Sequence, residues 1–274
     1  MPSEPHLVPD LVYRVTPQRP LRLDLRLPQD VTAPPLILYI PMGGMRGCRK
    51  DNESLPVWIV EHGFALASIE CRVTSEAIAP AQIHDCRAAV RWLRAHADEF
   101  GFSGDRIGAW GHSAGGHLAA LLAMSGDHPD LEETGAEHSG VSCRIQAACD
   151  ACGAPHDIAY FARPDVRERH AGVAENMDLY LGGPVPEHRD LARLISPATY
   201  ISPQSAPILI IQGQSDRIVP PEESLQFFGR LIEAGVDATM RSLPGIGHGW
   251  DSALTRGDIA SFFTRTLKPQ VTNS

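Results

Sequence analysis

The chain has 274 residues, of which 43% are hydrophobic and 21% charged, and it carries a formal net charge of −9. A chain of this length has room for one large domain. Its composition is that of an ordinary globular enzyme and excludes a fibrous, coiled-coil or disordered protein. The negative charge, with basic residues scattered along the chain, argues against nucleic-acid binding because no basic surface would offset phosphate repulsion.

Targeting signals and cysteine spacing limit the function further. The first thirty residues contain no apolar run long enough for a signal-peptide core. No stretch approaches the roughly 20 apolar residues that cross a bilayer. We therefore predict a cytoplasmic protein without a membrane partner. The six cysteines do not resemble a secreted disulfide framework. Cys149 and Cys152 form a C-x-x-C without a second ligand pair, so we interpret them as buried thiols and predict no metal and no cofactor.

Short apolar runs alternate with longer segments of helical periodicity, which predicts a parallel sheet with crossover helices. Residues 11–15 and 21–27 alternate apolar with polar side chains, as expected for an antiparallel edge pair with one wet face. Buried strands are predicted at 36–40, 65–69, 106–110, 145–149 and 208–211, with a last strand at 238–243. Helices are predicted at 80–97, 118–124, 224–234 and 259–267.

The segment from about residue 153 to residue 205 breaks this alternation. It is polar, contains several Gly and Pro residues, and has only short helical patches. We predict a small lid-like insertion over the carboxyl edge of the sheet, where such folds place their sites. The insertion is too small to fold alone, so residues 1–274 are predicted to form a single domain.

The most informative stretch is Arg106-Ile-Gly-Ala-Trp-Gly-His-Ser-Ala-Gly-Gly-His-Leu-Ala-Ala. Here an apolar strand runs into Gly111-His112-Ser113-Ala114-Gly115 and then into an Ala/Leu-rich helix. A serine nucleophile must stand clear of the backbone at a strained strand-to-helix turn, and the flanking glycines permit that turn. The pattern predicts Ser113 as the nucleophile, with the helix N-terminus directed at a developing oxyanion.

A nucleophile of this type needs a base and an acid, which follow it in the order acid then base. Asp216 stands in the loop after the buried run 208–211, and His248 in a Gly-rich loop after the last predicted strand. Imidazole has a pKa near working pH, so it can take and return the serine proton while a carboxylate fixes its tautomer. Asp150 and Asp157 follow an earlier strand and remain competing acids.

The second oxyanion donor should come from the loop after the 36–40 strand. That loop reads Pro41-Met42-Gly43-Gly44-Met45. The two glycines let the backbone approach a substrate closely and offer N–H groups.

Together the elbow, the Gly-Gly loop, the stretch 80–94 and the segments around Asp216 and His248 resemble the α/β-hydrolase carboxylesterases. The resemblance spans about residues 11–267 and is strongest to the acetyl-esterase and feruloyl-esterase-like branch, related to hormone-sensitive-lipase-type esterases and arylformamidases. It implies an α/β-hydrolase fold with a mostly parallel eight-stranded sheet and helices on both faces. The resemblance also implies a catalytic triad formed by Ser113, Asp216 and His248. It further implies an oxyanion hole formed by the amides of Gly43, Gly44 and Ala114.

The oxyanion loop departs from the family's usual His-Gly-Gly-x-Trp or His-Gly-Gly-Gly. Pro41 replaces the His and removes an N–H, and Met42 replaces the first Gly. Met45 stands where a Trp often occurs, which suits a tolerant acyl pocket because a thioether is flexible. The usual Tyr before Arg72 is also absent. The substrate pocket is expected to include Met42, Met45, His112 and Trp250.

These features favour hydrolysis of a small-molecule carboxylic ester through an acyl-enzyme, with a short-chain or small aromatic acyl group. An amide hydrolase such as an arylformamidase or a small peptidase would use the same machinery. A non-catalytic binding protein on this fold is a weaker alternative, because no triad member is lost. The sequence leaves the natural substrate and the oligomeric state open.

Overall fold

The computed structural model describes residues 5–52, 55–153 and 155–269. The strands, in chain order, are β1 (His6–Val15), β2 (Pro20–Leu27), β3 (Pro35–Ile40), β4 (Met42–Gly43), β5 (Gly47–Cys48), β6 (Ala65–Ile69), β7 (Ser103–His112), β8 (Ala147–Ala151), β9 (Ile208–Gly213) and β10 (Ala238–Leu243). The helices are α1 (Trp58–Glu61), α2 (Ala81–Ala95), α3 (Ala97–Phe100), α4 (Ala114–Ser125), α5 (Pro164–Arg169), α6 (Ala171–Leu181), α7 (Arg189–Leu194), α8 (Pro221–Glu233) and α9 (Arg256–Leu267). Short 3-10 turns lie at Pro129–Leu131, Ile158–Ala162, Val185–Glu187, Pro197–Thr199 and Ser252–Leu254.

The central sheet has eight strands in the order β1-β2-β6-β3-β7-β8-β9-β10. β1 pairs antiparallel with β2 and β2 antiparallel with β6, whereas the remaining neighbours pair in parallel. The predicted eight-stranded, mostly parallel sheet with an antiparallel edge pair is therefore confirmed.

Alternate residues of β3 face two separate cores, one on each face of the sheet. Leu36 and Leu38 pack in the larger core, which also contains residues of α2 and α4. Ile37 packs in the smaller core with Phe263 of α9. Because both faces are covered by helices, β3 is buried along its whole length. Because β6, β3, β7, β8, β9 and β10 run in parallel, their carboxyl ends lie together at one edge of the sheet.

Several elements begin earlier than predicted, among them β1, β7, α8 and α9, and two further differences have a clear physical origin. The strand expected at 145–149 runs from Ala147 to Ala151, because these five residues pair in parallel with residues 108–112 of β7. The helix expected from residue 118 begins at Ala114. Its first turn contains Gly115 and Gly116, whose low helix propensity hid the start of the helix in the sequence. Both glycines are retained because the surrounding backbone and side chains leave no room for a Cβ.

The described residues between β8 and β9 form α5, α6, α7 and three of the 3-10 turns. A lid-like insertion was predicted for this segment, and its helix α6 supplies residues to a cavity described below. In the described parts of the chain, no helix has both the length and the apolar character needed to span a membrane.

Candidate active site

Ser113 sits on the turn that joins β7 to α4. Its backbone has φ 56° and ψ −125°, a conformation that side-chain-bearing residues rarely adopt. Neighbouring backbone fixes the turn, since the Ser113 amide donates to the carbonyl of Ala151 over 2.8 Å. The Ser113 carbonyl accepts from the amide of His117 over 3.0 Å. The strained turn lifts the hydroxyl out of the sheet edge, as the elbow motif predicts.

The glycines on either side of Ser113 are required by close backbone approach. A Cβ on Gly111 would lie 2.2 Å from the carbonyl carbon of Gly115, and one on Gly115 would lie 2.0 Å from the carbonyl oxygen of Ile40. Any side chain at these positions would push α4 away from β3 and β7. The two glycines therefore set the position of the turn relative to the sheet.

The structure brings Ser113, His248 and Asp216 together although they are far apart in the chain. Nε2 of His248 lies 2.9 Å from Oγ of Ser113, and Nδ1 of the same ring lies 2.8 Å from Oδ2 of Asp216. Asp216 is 7% exposed. One imidazole thus bridges a hydroxyl and a buried carboxylate, which is the arrangement that activates a serine nucleophile.

Several donors hold the Asp216 carboxylate. Oδ1 accepts from the amides of Ile218 over 2.9 Å and Val219 over 2.8 Å, and Oδ2 also accepts from Nε2 of Gln212 over 3.1 Å. Burial alone would raise the pKa of Asp216. The hydrogen bond from His248 and those from the two amides outweigh it and hold that pKa below its usual value. Asp216 is therefore ionised at neutral pH.

Gln212 and Ser224 extend this network and were missed in the sequence analysis. The Ser224 hydroxyl donates to Oε1 of Gln212 over 2.9 Å, which orients the Gln212 amide nitrogen toward Asp216. Both side chains are buried. The available signal was a polar glutamine directly after the apolar run 208–211, still within β9.

The competing acids have other partners. Oδ2 of Asp150 lies 2.6 Å from Nε2 of His156, and both side chains are buried. Asp157 lies 3.9 Å from the guanidinium of Arg230 at the surface. The described contacts therefore attach neither carboxylate to His248.

The loop at 41–45 forms part of a small hairpin, in which β4 pairs antiparallel with β5. The amide of Arg46 donates to the carbonyl of Gly43 over 2.9 Å, and the two residues between them, Gly44 and Met45, have φ of 53° and 59°. Positive φ at both central positions is typical of a type I′ turn. A hairpin here was not predicted. Its backbone pairing orders a loop in which Pro41 stands where the resembled family usually has His.

Two cavities meet at Ser113. The larger, about 310 Å³, is lined by Ser113 and by three of the four predicted pocket residues, Met42, His112 and Trp250. The smaller, about 40 Å³, is lined by Ser113 and the fourth, Met45. The structure thus distributes the predicted pocket residues over two spaces rather than one.

Further lining residues were not foreseen. In the larger cavity they include Tyr39, Asn52, Trp110 and Thr255. In the smaller they include Val173, Asn176 and Met177 from α6, and Ile218 and Val219 beside Asp216. Sequence periodicity could not show that α6 lines a cavity beside Ser113. That position depends on how residues 153–205 fold back over the sheet.

Of the predicted oxyanion residues, Gly43 borders the larger cavity, and Gly44 and Ala114 border the smaller.

Comparison with known proteins agrees with this architecture. Residues 23–231 match the family model described as BD-FAE. The chain belongs to the BD-FAE family. Among its relatives, this BD-FAE chain is 28% identical over 220 residues to the esterase LipC of Mycobacterium tuberculosis, covering 79% of this chain and 53% of LipC. It is 28% identical over 225 residues to LipQ, an esterase of the same organism, covering 81% of this chain and 51% of LipQ. The chain thus spans about half the length of the curated relatives it matches.

Among solved structures, a truncated carbohydrate esterase from gut microbiota superposes with a TM-score of 0.82 at 25% identity, covering 98% of each chain. Esterase Est2 of Thermogutta terrifontis with bound propionate superposes with a TM-score of 0.76 at 24% identity, covering 95% of this chain and 96% of Est2. The predicted α/β-hydrolase fold and the resemblance to carboxylesterases are therefore confirmed.

Proposed function

We propose that this BD-FAE protein hydrolyses carboxylic esters through an acyl-enzyme formed on Ser113. The observation that carries the proposal is the pair of hydrogen bonds made by His248, one ring nitrogen to Ser113 and the other to Asp216. The esterase names of its relatives support the same chemistry.

The reaction follows from these contacts. Oγ of Ser113 attacks the ester carbonyl carbon while its proton passes to Nε2 of His248. As the tetrahedral intermediate collapses, the carbon–oxygen bond to the alcohol breaks and that oxygen takes the proton from His248. Water then attacks the acyl-serine with His248 as base, and the acid leaves while the proton returns to Ser113. The Asp216 carboxylate stabilises the imidazolium at both stages.

The oxyanion formed at each stage needs donors opposite the nucleophile. We assign this role to the amides of Gly43, Gly44 and Ala114, because these residues border the same two cavities as Ser113. The type I′ turn fixes the Gly43–Gly44 backbone before substrate binds, which reduces the reorganisation that transition-state stabilisation would otherwise require.

The two cavities suggest how the ester is oriented. The 40 Å³ cavity has room for a short acyl chain between Met45 and Met177. The 310 Å³ cavity, with Trp110 and Trp250 in its wall, accepts the alcohol part. Residues 153–205 act in this proposal as a cover that closes the acyl side. A small aromatic acyl group would require the opposite orientation, with its ring in the larger cavity.

A substrate panel tests the proposal. Hydrolysis of p-nitrophenyl acetate is compared with hydrolysis of N-formylkynurenine and a dipeptide anilide, for the parent enzyme and Ser113→Ala. We expect the highest kcat/KM with the ester and a loss of at least about a thousandfold in the variant. Amide turnover above ester turnover would contradict the ester assignment, and turnover retained in Ser113→Ala would contradict the nucleophile.

A further inference from the structure

Beside the proposed triad, the side chains of His112, Cys152 and His248 converge. Sγ of Cys152 lies 3.1 Å from Nε2 of His112 and 3.4 Å from the backbone carbonyl oxygen of His248. One ligand atom from each of these residues lies within 4.8 Å of the other two. The three residues follow or end different strands, so no local spacing in the sequence joins them.

The backbone holds Cys152 in this position against its own preference. Its φ is 46°, in the left-handed region that favours glycine. The conformation is fixed by a 2.8 Å hydrogen bond from the Cys152 amide to the carbonyl of Ile211 in β9. Strained residues kept at a sheet edge next to a reactive side chain often have a functional reason.

We propose that His112, Cys152 and His248 form a binding site for a thiophilic divalent cation such as Zn²⁺, which blocks the enzyme when bound. A thiolate with two imidazoles is a donor set that selects zinc over magnesium or calcium. Tetrahedral zinc holds such ligands about 3.3–3.6 Å apart, so small side-chain rotations suffice to close the site. A solvent molecule completes the coordination, and the thiol proton is released to water.

The surroundings of His248 suit this role. Nδ1 of His248 is already bonded to Asp216. This gives a carboxylate–histidine pair of the kind that orients zinc-bound imidazoles, and it leaves Nε2 for the cation.

Access and consequence follow from the same geometry. His112 lines the 310 Å³ cavity, so a cation entering there reaches His112, whose Nε2 lies 3.1 Å from the buried Sγ of Cys152. Binding to Nε2 of His248 takes the nitrogen that otherwise faces Oγ of Ser113. Inhibition by the cation therefore depends on the proposed catalytic role of His248. Binding of the cation needs only the three ligand side chains and does not depend on that role.

Cobalt serves as a spectroscopic probe because a thiolate bound to Co²⁺ gives a ligand-to-metal absorption band in the near ultraviolet. The intact Ser113→Ala protein is titrated with Co²⁺, alone and combined with Cys152→Ala or with Cys149→Ala, the other cysteine of the C-x-x-C. We expect the band in Ser113→Ala, its loss with Cys152→Ala and its retention with Cys149→Ala. His112→Asn, which keeps the thiol, should weaken Co²⁺ binding at least tenfold.

Zinc inhibition of ester hydrolysis is then compared between Cys152→Ala and Cys149→Ala, each relative to its own activity without zinc. The half-inhibiting Zn²⁺ concentration should rise at least tenfold for Cys152→Ala only. A missing cobalt band in Ser113→Ala, or a band that survives Cys152→Ala, overturns the site whatever the enzyme's activity. A cobalt band without zinc inhibition supports the metal site and places the failure in the proposed catalytic role of His248.

Discussion

The amide nitrogen of Gln212 donates to Oδ2 of Asp216 over 3.1 Å, and that same oxygen accepts from His248. The carboxylate is thereby held at a fixed angle to the imidazole. Gln212 contacts neither Ser113 nor His248 in the described hydrogen bonds, so it acts as a positioning residue.

Gln212→Leu should lower kcat by about tenfold to a hundredfold, because a hydrogen bond to a charged group contributes about 1.5–3 kcal/mol. KM should change little, since the side chain does not line either cavity at Ser113. Steady-state kinetics on a folded sample measure both constants. Ser224→Ala, which removes only the support of Gln212, should give a smaller fall in kcat. An unchanged kcat in Gln212→Leu would contradict the positioning role.

Asp216→Asn and Asp150→Asn form a matched pair of substitutions. Asp216→Asn should lower kcat by about 10³–10⁴ because the imidazolium loses its carboxylate. Asp150→Asn should instead lower the free energy of unfolding, since Asp150 is buried and bonded to His156 and Gly153. Its kcat per folded molecule should stay within a few-fold of the parent. Chemical denaturation and active-site titration separate the two effects, and a reversed pattern would identify Asp150 as the acid.

Gly115→Ala should prevent the native elbow from forming, because its Cβ would lie 2.0 Å from the carbonyl oxygen of Ile40. We expect loss of activity and a fall in unfolding free energy of several kcal/mol. Gly229→Ala is the control, since Gly229 lies within α8 and a Cβ added there would meet no neighbouring atom within 4 Å. That control should be stabilised by about 0.5–1 kcal/mol. Thermal unfolding of both proteins checks the contrast.

Met45→Ala should widen the smaller cavity and shift the acyl preference toward longer chains. Met45 is buried and lines that cavity with Ser113, whereas Met42 lines the larger one. The ratio of kcat/KM for p-nitrophenyl butyrate to that for the acetate should rise several-fold in Met45→Ala and stay constant in Met42→Ala. An equal shift in both variants would contradict the proposed orientation of the ester.

Glu223 makes stability depend on pH. Burial, followed by the negative charges of Asp157 and Glu222, raises the pKa of its carboxyl to about 8 from an ordinary value of 4.5. The folded protein therefore holds a proton that the unfolded chain has lost, so the contribution of Glu223 is full below pH 4.5 and falls as pH rises toward 8. The total change is about 3–5 kcal/mol.

Urea denaturation at several pH values checks this expectation. Between about pH 5 and pH 8 the parent should lose more unfolding free energy than Glu223→Gln, whose side chain does not titrate. Identical slopes for the two proteins would show that Glu223 has an ordinary pKa.

Local patterns in the sequence were sufficient to predict the sheet and the elbow. Strand β3 was recognisable because both its faces are apolar, and Ser113 because two glycines flank it at a strand-to-helix junction. Chain order then directed attention to Asp216 and His248. These inferences were possible because any parallel sheet with helices on both faces buries its strands in the same way.

What the sequence did not predict depends either on contacts between segments that are apart in the chain or on a local conformation that is unusual for its residue. Cys152 and His112 are 40 residues apart, and their contact arises only when β7 and β8 lie side by side. Gln212 carried only a weak signal, one polar residue after an apolar run, because its partner Ser224 lies in the following helix. The hairpin at Met42–Cys48 was hidden because Met45 occupies a left-handed position that normally indicates glycine.

The most direct test of the proposed triad is covalent labelling of the intact protein with a fluorophosphonate, followed by peptide mass spectrometry. We expect one adduct per molecule on Ser113, no adduct in Ser113→Ala, and labelling slowed by several orders of magnitude in a folded His248→Ala variant. A folded parent protein that remains unlabelled, or one labelled at a residue other than Ser113, would contradict the assignment of Ser113 as the nucleophile.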